Sequence, residues 1–158
     1  MTYEIGDKVE GFTLPEAPGK LVDIPIGITP VVLFFFPLSF SPVCSDGFCS
    51  IASEWNSWKQ TNCSTYGISV DSPFVVDKFK NDLNLLFPLL SDFNKEISKK
   101  WDVLHDDLFG MHGVSKRAAF VIDLNSNLIY KDIKEDPGKQ LNFEEILNFA
   151  NQAASLNG

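Results

Sequence analysis

The sequence predicts an α/β protein with a mixed central sheet and helices on both faces of that sheet. Two short runs rich in β-branched and aromatic residues, 31–36 and 65–70, are typical of buried strands. Each run is followed within a few residues by a serine–proline pair, which favours the start of a helix. A hairpin and an amphipathic helix are predicted towards the end of the chain. This order of elements is typical of a mixed sheet covered by helices.

The first third of the chain predicts a small β element, a central strand and a long helix. Short apolar stretches near residues 12–14 and 21–26 are separated by glycine and proline, which favour turns. The strand at 31–36 follows, and Pro37 ends it because proline cannot donate to a sheet ladder. Beyond Pro42, apolar residues continue at helical spacing, so we expect the helix to run to about residue 60. The residues that carry this spacing are Ile51, Trp55 and Trp58.

The rest of the chain alternates predicted strands and helices. A helix begins after Ser72, and its apolar face is expected to contain Phe74, Val75, Phe79 and Leu83. A short strand near 89–90, a helix near 94–101, a loop over 102–116 and a strand over 118–122 follow. Residues 125–127 are typical of a turn, and 128–131 form the returning strand. Asn142, with Glu145 three residues later, predicts the start of a last helix that runs to about Leu156.

Composition limits the classes of function. The 158 residues, 44% of them hydrophobic, suit a single domain over 1–158 with a sizeable core. No segment has the ~20 consecutive apolar residues of a membrane span, and a formal net charge of −8 argues against nucleic-acid or anionic-membrane partners. The N-terminal residues lack the pattern of a signal peptide. We therefore expect a cytoplasmic protein, in which paired cysteines are more often catalytic or metal-binding than structural.

Residues 37–49 contain the strongest candidate for a reactive site. Ser41 is suited to the N-cap and Pro42 to the first helical position, which puts Cys44 at the third. There, unpaired backbone N–H groups and the positive end of the helix dipole favour a reactive thiolate. A second cysteine, Cys49, follows five residues later. A buried, inert cysteine at the helix start is the alternative interpretation.

These residues resemble the active-site motif of the peroxiredoxins, Pro-x-x-x-Thr/Ser-x-x-Cys, which Pro37, Ser41 and Cys44 match. The spacing of Cys44 and Cys49 is similar to that of the Q-type, or bacterioferritin-comigratory, branch. Arg117, which precedes the strand over 118–122, falls where the family has its active-site arginine. One position departs from the pattern, because many relatives have glutamate three residues after the reactive cysteine and this chain has Gly47.

The resemblance implies a thioredoxin-like fold and a peroxidase that needs no bound cofactor. Cys44 would attack hydrogen peroxide or an alkyl hydroperoxide and become a sulfenic acid. Arg117 and Ser41 would stabilise the reacting groups, Pro37 would form a wall of the pocket, and Cys49 would resolve the sulfenic acid as a disulfide. A dithiol protein such as thioredoxin would reduce that disulfide, and members of the family are monomers or homodimers. From the residues alone, Arg117 could also be a surface ion pair and Ser41 a helix cap only.

Two other classes of function stay open. A general thiol–disulfide oxidoreductase would share the fold but would normally carry Cys-x-x-Cys, which this chain lacks. A metal-binding module could combine His105 and His112 with Cys44 and Cys49, although the spacing differs from that of zinc modules. Cys63 stands alone before a strand and is interpreted as structural or as a bystander, with a role in resolution as the less favoured alternative.

Helix geometry predicts that Cys44 and Cys49 cannot bond while both lie in one intact helix. Residues five apart have Cα atoms about 8.6 Å apart, whereas a disulfide needs Cα atoms about 4.4–6.8 Å apart. The helix must therefore open locally for the disulfide to form. Gly47, between the two cysteines, costs a helix about 1 kcal/mol relative to alanine and makes this opening easier.

Overall fold

A five-stranded mixed sheet lies at the centre of the protein, whose structure is a computed structural model that describes residues 2–155. The strands of this sheet stand in the order β5-β4-β3-β6-β7, and β1 and β2 form a separate antiparallel hairpin. Strand β3 is parallel to β4 and antiparallel to β6. The strands are β1 Thr13–Ala17, β2 Lys20–Asp23, β3 Val31–Phe35, β4 Ser64–Ser69, β5 Leu89–Ser91, β6 Arg117–Ile122 and β7 Leu128–Lys134.

Two hydrophobic cores cover the two faces of the sheet, because successive side chains of a strand point to opposite faces. The side chains of Val32 and Phe34 pack with residues of four helices. Those of Val31 and Leu33 pack with Trp101, with the N-terminal segment and with a fifth helix through Ile97. The predicted mixed sheet with helices on both faces is therefore confirmed. The helices are α1 Pro42–Ser53, α2 Trp55–Gln60, α3 Pro73–Leu83, α4 Glu96–Lys100 and α5 Phe143–Ser155.

The structure corrects the single helix predicted from Pro42 to about residue 60. Helix α1 ends at Ser53, and Glu54 leaves the helical region with φ −112° and ψ 26° before α2 begins. Beyond the bend, Trp55 stacks on Phe87, with ring centroids 5.5 Å apart, and Trp58 is the residue of α2 that is buried in the core. Periodicity alone does not report this bend, because the apolar spacing continues through it.

One further detail of the helices differs from the predictions, and one agrees with them. On α3 the predicted Phe79 is buried and Leu83 packs against the core, but Phe74 is 73% exposed and Val76 is buried where the prediction had Val75. At the start of α5, the Asn142 side-chain oxygen accepts from the Glu145 backbone N–H at 3.1 Å, as its position predicts. The predicted end of this helix at Leu156 lies outside the described residues. Between residues 2 and 155, no helix combines the length and the apolar character that crossing a membrane requires.

The register between β3 and β6 brings distant parts of the chain together. Phe35 pairs with Ala118, so Arg117 at the first position of β6 lies level with the end of β3. Arg117 is on the same side of β6 as Ala119, whose side chain packs in the core that contains α1. The sheet therefore directs Arg117 towards the start of α1.

Candidate active site

Cys44 lies at the third position of α1 and is 3% exposed. Ser41 occupies the N-cap position with extended backbone dihedrals, and Pro42 begins the helix. Because proline fixes φ and has no N–H to satisfy, it suits this first position. Phe48 and Ile51 anchor the buried side of α1 in the core. The local sequence thus places the Cys44 thiol at the positive end of a helix whose other end is firmly packed.

The guanidinium group of Arg117 contacts the sulfur of Cys44. Its Nη2 donates to the Cys44 Sγ at 3.0 Å, and its Nη1 donates to the carbonyl oxygens of Pro137 and Lys139. Arg117 is 3% exposed and takes part in none of the ion pairs found among residues 2–155. A permanently charged donor therefore faces the thiol inside the protein, and the alternative of a surface ion pair does not apply.

The Ser41 side chain does not cap α1, which corrects that part of the prediction. Its hydroxyl group donates to the carbonyl oxygen of Leu38 at 3.0 Å and accepts no helix N–H. Ser41 and Pro37 instead line an open depression of about 330 Å³ that reaches Arg117. Three apolar side chains from the 102–116 loop complete its lining: Leu108, Phe109 and Met111. Cys44 and Arg117 both line a smaller adjoining cavity of about 20 Å³.

Asp71 holds the loop that leads into α1, and the sequence analysis missed it. Its Oδ2 accepts from the backbone N–H of Ser39 at 2.7 Å and from the Ser69 hydroxyl at 2.8 Å. Phe40, which follows Ser39 in this loop, has a φ of +69°, a left-handed conformation that is unfavourable for a bulky side chain. The carboxylate contact helps to fix this loop. An acidic residue just beyond the carboxyl end of a buried strand is the signal that could have drawn attention to Asp71.

The three cysteines differ in their surroundings, and all are free thiols. Cys49 lies on α1 and is exposed, so opening of the helix would make it available to Cys44. Cys63 is partly buried beside α5, and its Sγ lies 3.3 Å from the carbonyl oxygen of Ala150. Burial raises the pKa of the Cys63 thiol, which disfavours its reactive form. This environment agrees with the structural interpretation of Cys63.

The two histidines of the 102–116 loop differ in their solvent exposure. His105 is buried, and burial, aided by the charge of Lys116, lowers its pKa. His112 is exposed, and its Nδ1 lies 2.9 Å from the carbonyl oxygen of Asp106. Across residues 2–155, no three histidine, cysteine or acidic side chains come together as a metal site would require. The metal-binding alternative thus has no cluster to support it in the described part of the chain.

Gly47 is buried, and a neighbouring side chain fills the space beside it. A Cβ atom at this position would lie 2.9 Å from Gln140 Nε2 and 3.2 Å from Phe143 Cζ. A glutamate, which many relatives carry here, would therefore require Gln140 to move. Gln140 was not singled out in the sequence, because no local pattern connects it to α1.

The sequence matches the AhpC/TSA family over residues 5–131. It is 38% identical over 100 residues to the chloroplastic 2-cysteine peroxiredoxin of Chattonella marina var. antiqua, covering 59% of this chain and 49% of that protein. It is 31% identical over 126 residues to the chloroplastic peroxiredoxin Q of Oryza sativa subsp. japonica, covering 79% of this chain and 57% of that protein. The matched region thus spans about half the length of these curated relatives.

The fold agrees with that of a solved structure of a similar protein. The crystal structure of peroxidoxin BcpB from Mycobacterium tuberculosis superimposes with a TM-score of 0.80 and 25% sequence identity, and the match covers 98% of both chains. The resemblance to the Q-type, bacterioferritin-comigratory branch and its thioredoxin-like fold is thereby confirmed. The family match, which extends over most of the chain and includes Cys44 and Arg117, shows that this protein is a member of the AhpC/TSA family of peroxiredoxins.

Proposed function

We propose that this protein is a thiol-dependent peroxidase that reduces hydrogen peroxide and alkyl hydroperoxides. The observation that carries the proposal is the 3.0 Å contact between Arg117 Nη2 and Cys44 Sγ at the start of α1. A cationic donor beside the sulfur can hydrogen-bond to a thiolate, which is the nucleophile in this chemistry. Membership of the AhpC/TSA family supports the same activity.

In the proposed reaction, the Cys44 thiolate attacks one oxygen of the peroxide and the O–O bond breaks. The sulfur forms a new bond to that oxygen and becomes a sulfenic acid, and the other oxygen leaves as water or an alcohol after taking up a proton. Arg117 donates hydrogen bonds to the sulfur and to the oxygens on which negative charge develops. The oxygen of Ser41, whose own hydrogen is directed to Leu38, can accept a hydrogen bond from the peroxide. Pro37 is a wall of the depression through which the peroxide enters.

The lining of that depression supports alkyl hydroperoxides as substrates alongside hydrogen peroxide. Leu108, Phe109 and Met111 present apolar atoms at its mouth, and Phe109 is 84% exposed. An alkyl or aryl group could cover this surface and remove it from water, which is favourable by about 25 cal/mol for each Å² buried. Hydrogen peroxide has no such group and gains nothing from these side chains.

Cys49 is the proposed resolving residue. The sulfenic acid on Cys44 condenses with the Cys49 thiol to give a disulfide and water. Both cysteines lie in the continuous helix α1, so the helix must open between them, since their Cα atoms would otherwise stand about 8.6 Å apart. The exposed side of α1 at Cys49 leaves the resulting disulfide open to a dithiol protein such as thioredoxin.

The test is a stopped-flow reaction with hydrogen peroxide, followed by mass spectrometry of the product. The wild type should react rapidly and yield a Cys44–Cys49 disulfide, and Cys44→Ser should abolish peroxide reduction with the fold intact. Cys63→Ser is the matched control, because it removes a thiol that contacts the carbonyl oxygens of Thr61 and Ala150 and not Arg117. Substantial turnover by Cys44→Ser would contradict the proposal. Consumption of peroxide in an assay coupled to a dithiol reductant distinguishes a peroxidase from a general thiol–disulfide oxidoreductase.

The remaining predictions concern organisation in solution. The single domain over residues 1–158, the cytoplasmic location, the lack of nucleic-acid or membrane partners and the monomeric or homodimeric state stay predictions. Limited proteolysis tests the single domain, cell fractionation tests the location, and light scattering of the purified protein tests the oligomeric state.

A further inference from the structure

The side chain of Gln140 connects the segment before α5 to the first turn of α1. Its Nε2 donates to the carbonyl oxygen of Val43 at 2.9 Å, and its Oε1 accepts from the backbone N–H of Leu141 at 3.1 Å. Both ends of the amide are therefore engaged, which fixes its orientation. Val43 directly precedes Cys44 and is the second residue of the helix. The bond thus holds the part of α1 that carries the reactive thiol.

The same short segment also holds Arg117. The carbonyl oxygens of Pro137 and Lys139 accept from Arg117 Nη1. Asp136 stabilises the turn that presents them, since its Oδ1 accepts from the Gly138 N–H at 2.8 Å. Residues 136–140 therefore contact both the arginine that faces the sulfur and the helix that bears it.

Gly47 provides the space that Gln140 occupies. It lies between Cys44 and Cys49, and a Cβ atom there would come within 2.9 Å of the Gln140 amide nitrogen. The amide thus covers the stretch of α1 that must open before the two cysteines can meet. Opening this stretch separates Val43 from Gln140 and breaks their hydrogen bond.

We propose that Gln140 is a positioning residue that holds the first turn of α1 closed and thereby sets the rate of disulfide formation. The inference rests on the proposed peroxidase function. In the step concerned, the Cys49 sulfur bonds to the Cys44 sulfur, the S–O bond of the sulfenic acid breaks, and the oxygen leaves as water. Gln140 takes no part in that chemistry and acts through the closed helix alone. Its loss should therefore speed the second step and leave the first step little changed.

Stopped-flow tryptophan fluorescence of the full chain, mixed with hydrogen peroxide, can resolve the two steps, because α2, which follows α1 directly in the chain, carries two tryptophans. Oxidation of Cys44 depends on peroxide concentration, and disulfide formation does not. Gln140→Ala removes the contact, and Gln140→Met keeps the bulk without the donor. Both should speed the second phase by about two- to tenfold, the range expected for one hydrogen bond. They should also lower the overoxidised fraction of Cys44 at high peroxide. Gln152→Ala, an exposed glutamine on α5, is the matched control and should change neither phase.

A second pair of variants tests the contact between Gln140 and Gly47. Gly47→Ala favours the closed helix and alone could slow the second phase by up to about fivefold. In the wild type the added Cβ also displaces the Gln140 amide, so the slowing should be partly cancelled. In Gln140→Ala the same substitution should slow the phase more fully. Equal effects in the two backgrounds would indicate that the contact has no role.

Failure of this inference can be told apart from failure of the proposed function. If Cys44 reacts with peroxide but the second phase is unchanged in both Gln140 variants, the inference is wrong and the peroxidase function stands. If Cys44 does not react at all, the proposed function is wrong. Amide hydrogen exchange across residues 42–49 of the reduced protein then still decides the inference. Exchange that is no faster in Gln140→Ala than in Gln152→Ala overturns it.

Discussion

Replacing Arg117 should slow the reaction of Cys44 with peroxide without unfolding the protein. In Arg117→Met the side chain keeps a similar length but loses its charge and its donor to Cys44 Sγ, which stands at 3.0 Å. A hydrogen bond to a charged group contributes about 1.5–3 kcal/mol. This corresponds to a second-order rate constant reduced about ten- to 150-fold. Arg117→Lys should recover only part of this loss, because an ammonium group lacks the fork that reaches the sulfur and the Pro137 and Lys139 carbonyls together.

The assay is the initial stopped-flow phase as a function of hydrogen peroxide concentration, with thermal unfolding of each variant to check the fold. Lys116→Met is the control, because it removes the same charge from the adjacent residue, whose ammonium group pairs with Glu135. This control should react like the wild type. An unchanged rate constant in Arg117→Met, or an equal loss in Lys116→Met, would refute the reasoning, since the effect would then be absent or would come from net charge alone.

Three further predictions address resolution, substrate choice and pH. Cys49→Ser should react once with peroxide and then stall with a dithiol donor, whereas Cys63→Ser should keep turning over. A disulfide between Cys44 and Cys63 on peptide mapping would contradict the resolving role of Cys49. Phe109→Ser should lower kcat/KM for an aryl hydroperoxide by about two- to tenfold, the contribution of one aromatic contact, and should leave hydrogen peroxide unaffected. Burial lowers the pKa of His105 in the folded protein below its ordinary 6.5, so the unfolded chain binds the proton first and stability falls as pH drops below about 6.5. Melting temperatures between pH 7 and pH 5 should therefore fall less in His105→Leu than in the wild type.

The sequence predicted those parts of the fold that depend on local patterns. Apolar runs of β-branched and aromatic residues identified β3 and β4, and serine–proline pairs identified the starts of α1 and α3. Such signals hold because the conformational preference of proline and the burial of a strand act over a few residues. The bend at Glu54 was not predictable in this way. It accompanies the stacking of Trp55 on Phe87, which is 32 positions further along the chain.

The candidate site shows the same division. Cys44 could be predicted as a candidate because the residues on either side of it in the sequence determine its position at the helix start. Asp71 and Gln140 could not, since they act on backbone groups 32 and 97 residues away and only the folded chain brings these together. The cap expected of the Ser41 side chain was wrong for a related reason. The hydroxyl group donates to the Leu38 carbonyl oxygen, in a loop where Phe40 has a left-handed conformation that no local pattern predicts.

The pairing of β3 with β6 keeps the distance between Cys44 and Arg117 constant when the loop over residues 102–116 changes. Arg117 is the first residue of β6, whose pairing with β3 is fixed, and a slip of one residue would turn it to the opposite face. Cys44 follows β3 through the short loop that Asp71 holds. Insertions at the exposed tip of that loop, near Phe109, lengthen only a surface excursion between α4 and β6. The rim of the depression can therefore be remodelled while Cys44 and Arg117 keep their spacing, which makes this loop the natural place to test the proposed range of hydroperoxides.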